Sequence, residues 1–284
     1  MSAIAIISDT DTSLPKQSLD EHGITQVPIT IHFGEEVLDA CSEITDYDLV
    51  ERVHREGVLP TTSAPSPGAF SKAYQAAFEK GADEIICLTV SAGVSATYQA
   101  AISALELHPD RKITVVDTES ISMGQGFMVL EAARLAKQGK QTAEILEAVK
   151  DVRDRTHLYA ALDTLKFMAL SGRVGHLTAE MANVLSIKPI LTILDGKLDL
   201  LEKVRTKKKA WDRVFELAQN SLGSKQVEDI YILHVAADDA ADEFEIGLRN
   251  AMPCPEYIPK TGLTPGLSVH TGAGLVGVAF TTKS

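Results

Sequence analysis

Ile85-Ile86-Cys87-Leu88-Thr89-Val90 runs directly into Ser91-Ala92-Gly93-Val94-Ser95-Ala96-Thr97-Tyr98. The first six residues are apolar or β-branched with no polar alternation, the pattern of a strand buried on both faces in a parallel sheet. From Tyr98 to Leu107 the spacing predicts a helix. A strand tip, a turn of small and hydroxyl residues and a helix start together present hydroxyls and free backbone N–H groups, which suits a negative or acyl-oxygen head group. Open α/β sheets bind ligands at this edge, outside the carboxyl ends of their strands. Read as local structure only, the same residues serve tight strand–helix packing, with Ser95 or Thr97 as an ordinary cap.

The rest of the first half repeats the alternation. Strands are predicted at Ala3–Ser8, Gln26–His32, Glu84–Val90 and Ile113–Asp117, and helices near Thr45–Glu56, Gly68–Lys80 and Gly126–Gln138. Ser66-Pro67 supplies a helix start, and Gly81 and Gly139 supply stops. Gln141–Arg155 is a charged amphipathic helix leading into the second half. There Asp195-Gly196 turns a hairpin between Ile187–Leu194 and Lys197–Val204. Trp211–Leu222 and Asp238–Arg249 read as helices, Asp229–Val235 as a strand, and Gly266–His270 and Gly274–Thr281 as closing strands. The expected class is α/β: two α/β domains, residues 1–155 and 156–284, sharing a cleft, with a mainly parallel sheet in the first.

Composition narrows the function. With 284 residues, 45% hydrophobic and 23% charged, the chain can build a substantial core. A net charge of -12 and only 5% aromatic residues argue against a nucleic-acid partner, which needs a basic face or stacking platforms. Cys41, Cys87 and Cys254 are odd in number and far apart, matching no zinc or disulfide spacing, so a reducing cytoplasm is expected. Met1-Ser2-Ala3-Ile4-Ala5-Ile6-Ile7 lacks a basic leader and reads as a first strand, not a signal peptide. No apolar stretch approaches the roughly 20 residues that span a bilayer.

Four clusters carry candidate chemistry. Asp9-Thr10-Asp11-Thr12-Ser13 ends the first strand; its aspartates suit a divalent cation, and its composition equally suits a plain turn. Thr61-Thr62-Ser63-Ala64-Pro65-Ser66 holds hydroxyls on a stiff loop, where Ser66 alone accounts for the following cap. The Ser91–Tyr98 turn is the third. Ser268-Val269-His270-Thr271-Gly272-Ala273-Gly274 is the fourth, a histidine before glycines that let backbone approach a ligand. There is no G-x-x-x-x-G-K-[ST] loop and no cysteine–histidine metal set. Gly93-Val94-Ser95-Ala96-Thr97 approximates a nucleophile elbow, and Asp229, Asp238 and His270 follow in hydrolase order, so a Ser95/His270 esterase or thioesterase is the alternative function; Thr97 replaces the glycine that relieves the strained elbow.

In this order and over essentially the whole chain, the clusters resemble the DegV family of bacterial fatty-acid-binding proteins. The matching stretches are Asp9-Thr10, Thr62-Ser63-Ala64-Pro65-Ser66, Ser95-Ala96-Thr97-Tyr98, Asp117-Thr118, Ser171-Gly172-Arg173-Val174, Lys188-Pro189-Ile190-Leu191, Arg205 with Lys208 and Lys209, and His270-Thr271-Gly272. The resemblance implies two α/β domains enclosing one long-chain fatty acid such as palmitate, with no other cofactor and no chemistry performed by the chain. Some members are the carrier subunit of fatty acid kinase and present the carboxylate to a separate kinase subunit. Carried over by position, Thr62, Ser63, Ser95, Ala96, Thr97, His270 and Thr271 would hold the head group, Arg173 would add positive charge near the entrance, and Arg205 would help dock the kinase. Ala96 and Ala273 stand where the family usually has Gly and Pro, and Ala64 where it usually has Gln, which unsettles head-group geometry first. The tail carries most of the affinity: about sixteen carbons offer on the order of 12 kcal/mol at ~0.8 kcal/mol per methylene. Phe127, Leu130, Leu162, Leu165 and Ile190 are candidate walls of the slot.

Overall fold

The computed structural model describes residues 2–172 and 187–283. In the first half the elements run β1 (Ile4–Asp9), α1 (Lys16–His22), β2 (Thr25–Val27), β3 (Thr30–Phe33), β4 (Glu36–Asp39), α2 (Asp46–Glu56), β5 (Thr61–Ser63), α3 (Pro67–Glu79), β6 (Glu84–Thr89), α4 (Thr97–Ser103), β7 (Lys112–Asp117), α5 (Ser122–Lys137) and α6 (Thr142–Asp154). Then follow β8 (Thr156–Ala161), α7 (Lys166–Ser171), β9 (Lys188–Leu194), β10 (Lys197–Val204), α8 (Lys207–Leu222), β11 (Val227–His234), α9 (Asp238–Ala251), β12 (Lys260–Gly262), α10 (Pro265–Thr271) and β13 (Val276–Thr282).

Four strands in the order β2-β1-β6-β7 make an all-parallel sheet. Both faces are apolar because both are covered. Ile7, Ile85 and Cys87 pack with Phe70 and Tyr74 of α3, while Ile6, Ile86 and Leu88 pack with Met128 and Val129 of α5. That alternation explains the unbroken apolar run at Ile85–Val90. Ser66 caps α3 by accepting the Ala69 N–H at 3.1 Å, with Pro67 at the first helical position.

The stretch Gln26–His32 is two strands rather than one. Pro28 has no N–H for a ladder, and the chain changes sheet there. β2 stays in the parallel sheet, and β3 centres a three-stranded antiparallel sheet, β4-β3-β5, in which Ile31 lies opposite Thr62. α5 starts at Ser122, four residues before the predicted Gly126. Gly124 and Gly126 are interior helical glycines: a Cβ on Gly124 would lie 2.2 Å from Ser120 Oγ, and one on Gly126 would lie 2.9 Å from the Thr12 carbonyl oxygen.

The second half forms a six-stranded sheet in the order β10-β9-β8-β13-β11-β12, antiparallel except for β11–β12. Asp195 and Gly196 both take the left-handed backbone (φ 48° and 73°), as a two-residue hairpin turn of this hand requires. The predicted closing strand Gly266–His270 is instead helix α10. The two-residue spacing of Leu267 and Val269 imitates a strand, but Thr264-Pro265 starts a helix and Gly272, at φ 73°, ends it. One apolar cluster runs through both halves, joining Leu88 and Met123 to Leu158, Leu191 and Leu233. A second lies on the far face of the six-stranded sheet under α8 and α9. Among the described residues no helix is long and apolar enough to cross a membrane.

Candidate functional site

A cavity of about 320 Å³ lies between the carboxyl edge of the parallel sheet and one face of the six-stranded sheet. Its volume falls at the lower end of the range typical of small-molecule sites. β8 supplies Leu158 and Ala160, and Leu162 just beyond it continues the two-residue spacing on the same face. Leu191, Leu198, Leu233, Leu263 and Leu275 extend the apolar wall. Of the predicted walls, Leu162 lines the cavity and Phe127, Leu130, Leu165 and Ile190 do not. Ile190 precedes Leu191 on β9 and therefore points to the opposite face, into the cluster under α8. Phe127 packs its ring against Tyr231, 6.0 Å between centroids.

Several of the predicted site residues share this cavity. Thr62, Ser63, Ser95, Ala96, His270 and Thr271 all line it. Thr62 comes from β5, Ser95 and Ala96 from the turn after β6, and His270 and Thr271 from α10. The fold thus gathers residues 208 positions apart: Thr62 Oγ1 lies 3.1 Å from His270 Nε2. Ser95 Oγ lies 2.8 Å from Thr97 Oγ1 and accepts the Thr97 N–H at 3.3 Å. Thr97 is fully buried behind Ser95 and does not line the cavity. Thr271 Oγ1 donates to the Leu267 carbonyl, closing its own helical turn. Arg173 lies outside the described residues. Arg205, exposed just past β10, is at the opposite end of that strand from the hairpin tip and does not line the cavity.

The two hydrogen bonds define donor relays. When His270 Nε2–H donates to Thr62 Oγ1, the Thr62 hydroxyl proton is free to point into the cavity; when Thr97 donates to Ser95, so is the Ser95 proton. An acceptor-only group such as a carboxylate selects both arrangements. Ala96 sits at φ −79°, ψ 2°, which an L-residue adopts without strain, so its methyl lines the wall and needs no glycine there. The elbow reading fares differently. Ser95 is tied to Thr97 and His270 Nε2 to Thr62, while Asp238 engages Tyr47 and His234. These bonds do not assemble a serine–histidine–acid relay.

The hairpin tip docks on the turn after β6. Ser91 Oγ donates to the Gly196 carbonyl at 2.6 Å, and a Cβ on Gly93 would come within 2.3 Å of that same oxygen. Only glycine at position 93 lets the tip seat here.

Asp9 and Asp11 divide their labour. Asp9 is fully buried and accepts N–H bonds from Val90 at 2.6 Å, Asp11 at 2.9 Å and the Gln125 side chain at 3.2 Å. It fastens the tip of β6 to that of β1, and the N–H dipoles pointing at its oxygens disfavour a cation there. Burial raises its pKa while these N–H bonds hold it down. Asp11 is raised further, first by burial and then by the Asp9 charge, with only the Thr264 hydroxyl bond opposing. Burial thus disfavours a second negative charge on the pair, and the upward push is the stronger at Asp11. Asp11 lines the cavity beside Ile29 and Gly266. The sequence read Asp11 as part of a plain turn, with a cation site as the alternative; nothing local signalled that α10 would bring it to a ligand wall.

A family profile described as "Uncharacterised protein, DegV family" matches residues 3–283. A DegV domain-containing protein of Streptomyces coelicolor is 35% identical over 280 residues, covering 99% of this chain and 99% of its own. A DegV family protein from Thermus thermophilus, solved for its fatty acid binding, matches with a TM-score of 0.89 at 28% identity, covering 99% of this chain and 100% of its own. The crystal structure of DegV, a fatty acid binding protein from Bacillus subtilis, matches at 0.89 and 26% identity over 100% of both chains.

Proposed function

The chain belongs to the DegV family, and on that premise we propose that it binds one long-chain fatty acid, its carboxylate at the Thr62–Ser95–His270 cluster and its acyl chain in the apolar cavity. The observation that carries this reading is a largely apolar slot, rich in leucines, whose lining also holds the Thr62–His270 pair and the Ser95 hydroxyl. The Thermus thermophilus and Bacillus subtilis relatives, which cover the whole fold and are described as binding fatty acids, support it.

Thr62 and Ser95 donate to the carboxylate oxygens, each fed by its relay partner, His270 or Thr97. The Ala96 N–H, at the start of α4, adds a third donor. Ser63 and Thr271 border the head group. Hydrogen bonds to a charged carboxylate contribute about 1.5–3 kcal/mol each and fix orientation, while the buried methylenes supply most of the affinity. Residues 1–155 and 156–284 act as the two units that close on the ligand. The bound acid is presented to a separate kinase subunit in the cytoplasm, which docks in part on Arg205; the carrier itself makes and breaks no bond.

Titration with palmitate tests the assignment. Ser95→Ala and Thr62→Val are each expected to weaken binding by about tenfold, the equivalent of one lost charge-assisted bond. Hydrolysis of a palmitoyl ester by the wild type, abolished in Ser95→Ala, would instead establish the esterase.

A further inference from the structure

A chain-binding slot gains nothing from a carboxylic acid in its wall, yet Asp11 is there, 5% exposed and lining the cavity. Its position is fixed rather than incidental. Thr264 Oγ1 donates to Asp11 Oδ1 at 2.9 Å, and α10 approaches so closely that a Cβ on Gly266 would lie 2.3 Å from that oxygen. The Thr264 bond occupies Oδ1, and among the described residues no side chain bonds Oδ2. Gly266 is one turn of α10 before His270, about 6 Å along the helix, so Asp11 faces the part of a ligand near its head group. An all-methylene chain laid over this carboxyl would leave a buried polar oxygen without a partner. A hydroxyl at that depth satisfies it in either protonation state, accepting from the acid or donating to the carboxylate.

We propose that Asp11 makes this pocket selective for fatty acids bearing a hydroxyl on the head-group-proximal part of the chain. The inference rests on the fatty-acid reading and names the substrate class within it. The geometry is that of a site built to bond a substrate hydroxyl, which rejects the unsubstituted analogue far more strongly than an apolar pocket rejects an added group. Thr264 and Gly266 act as positioning residues, holding the carboxyl against the cavity.

The test is calorimetric titration of the full chain, stripped of lipid, with palmitate, 3-hydroxypalmitate, 5-hydroxypalmitate and 16-hydroxypalmitate. The 3- or 5-hydroxy acid is expected to bind at least about tenfold more tightly than palmitate, and the 16-hydroxy acid, whose hydroxyl falls in the apolar end, more weakly. Asp11→Leu should abolish the preference and tighten palmitate binding, whereas Asp11→Asn, which keeps polar atoms in place, should retain part of it. A wild type that prefers palmitate to every hydroxylated acid overturns the proposal whatever the variants do. So does a hydroxyl preference that survives in Asp11→Leu. Failure to bind any of the four acids overturns the fatty-acid reading itself.

Discussion

At the residue scale, the unusual feature is the strong upward push on the Asp11 carboxyl. Its carboxyl is pushed from the ordinary 3.8 to about 8 by burial and by the neighbouring Asp9 charge. In the unfolded chain the same group releases its proton in the ordinary carboxyl range. Between those limits the folded protein holds the extra proton, so stability falls as pH rises. Asp11→Asn has no such proton to lose. Its melting temperature is expected to gain on that of the wild type as pH is raised through this window. A difference that stays flat across the window would mean that Asp11 is not the group holding the proton. Thr62, Ser95 and His270 were legible as candidates because hydroxyls and a histidine stand beside small residues in stretches that match the family by position, and the fold brings all three to one cavity. Asp11 was not, since its role depends on Thr264 and Gly266 lying against it from 253 and 255 positions away.

At the element scale, α10 and the β9–β10 hairpin both contribute to the cavity wall. The Asp195-Gly196 tip rests on Ser91 and Gly93 with no room for a methyl at Gly93. Gly93→Ala is therefore expected to cost about 1–3 kcal/mol of stability, the usual range for overpacking, and to weaken palmitate binding by unseating Leu191 and Leu198. Thermal unfolding indistinguishable from wild type would show that the tip does not dock there. The parallel sheet was readable because its strands are continuous apolar runs. α10 was misread because seven residues hold too little periodicity to separate Leu267–Val269 on a helix from the same pair on a strand; the Thr264-Pro265 start was the better signal. β8 carried no strand signal of its own, since Thr156–Ala161 is mixed in character, and with it went Leu158 and Ala160 of the pocket wall. Gly124 and Gly126 hid the first turn of α5 for the opposite reason, being small so that Ser120 and Thr12 can approach.

At the scale of the molecule, the cavity is walled by segments beyond the carboxyl edge of the parallel sheet and by one face of the six-stranded sheet, and one apolar cluster crosses from the first half into the second. Emptying the slot removes contacts from both sides at once. Stripping lipid on a hydrophobic resin is expected to lower the melting temperature, and added palmitate to restore it with a concentration dependence set by its affinity. A melting temperature indifferent to palmitate would contradict ligation at this interface. The central claim, that this chain carries a long-chain fatty acid, is tested most directly by its cargo. The protein would be purified from a bacterial host, denatured and extracted with organic solvent, and the extract analysed by mass spectrometry. The account predicts one long-chain fatty acid per chain, lost from a variant in which Ala160→Phe fills the slot. A lipid-free extract from a wild type that also refuses added palmitate, oleate and their hydroxylated relatives would contradict it.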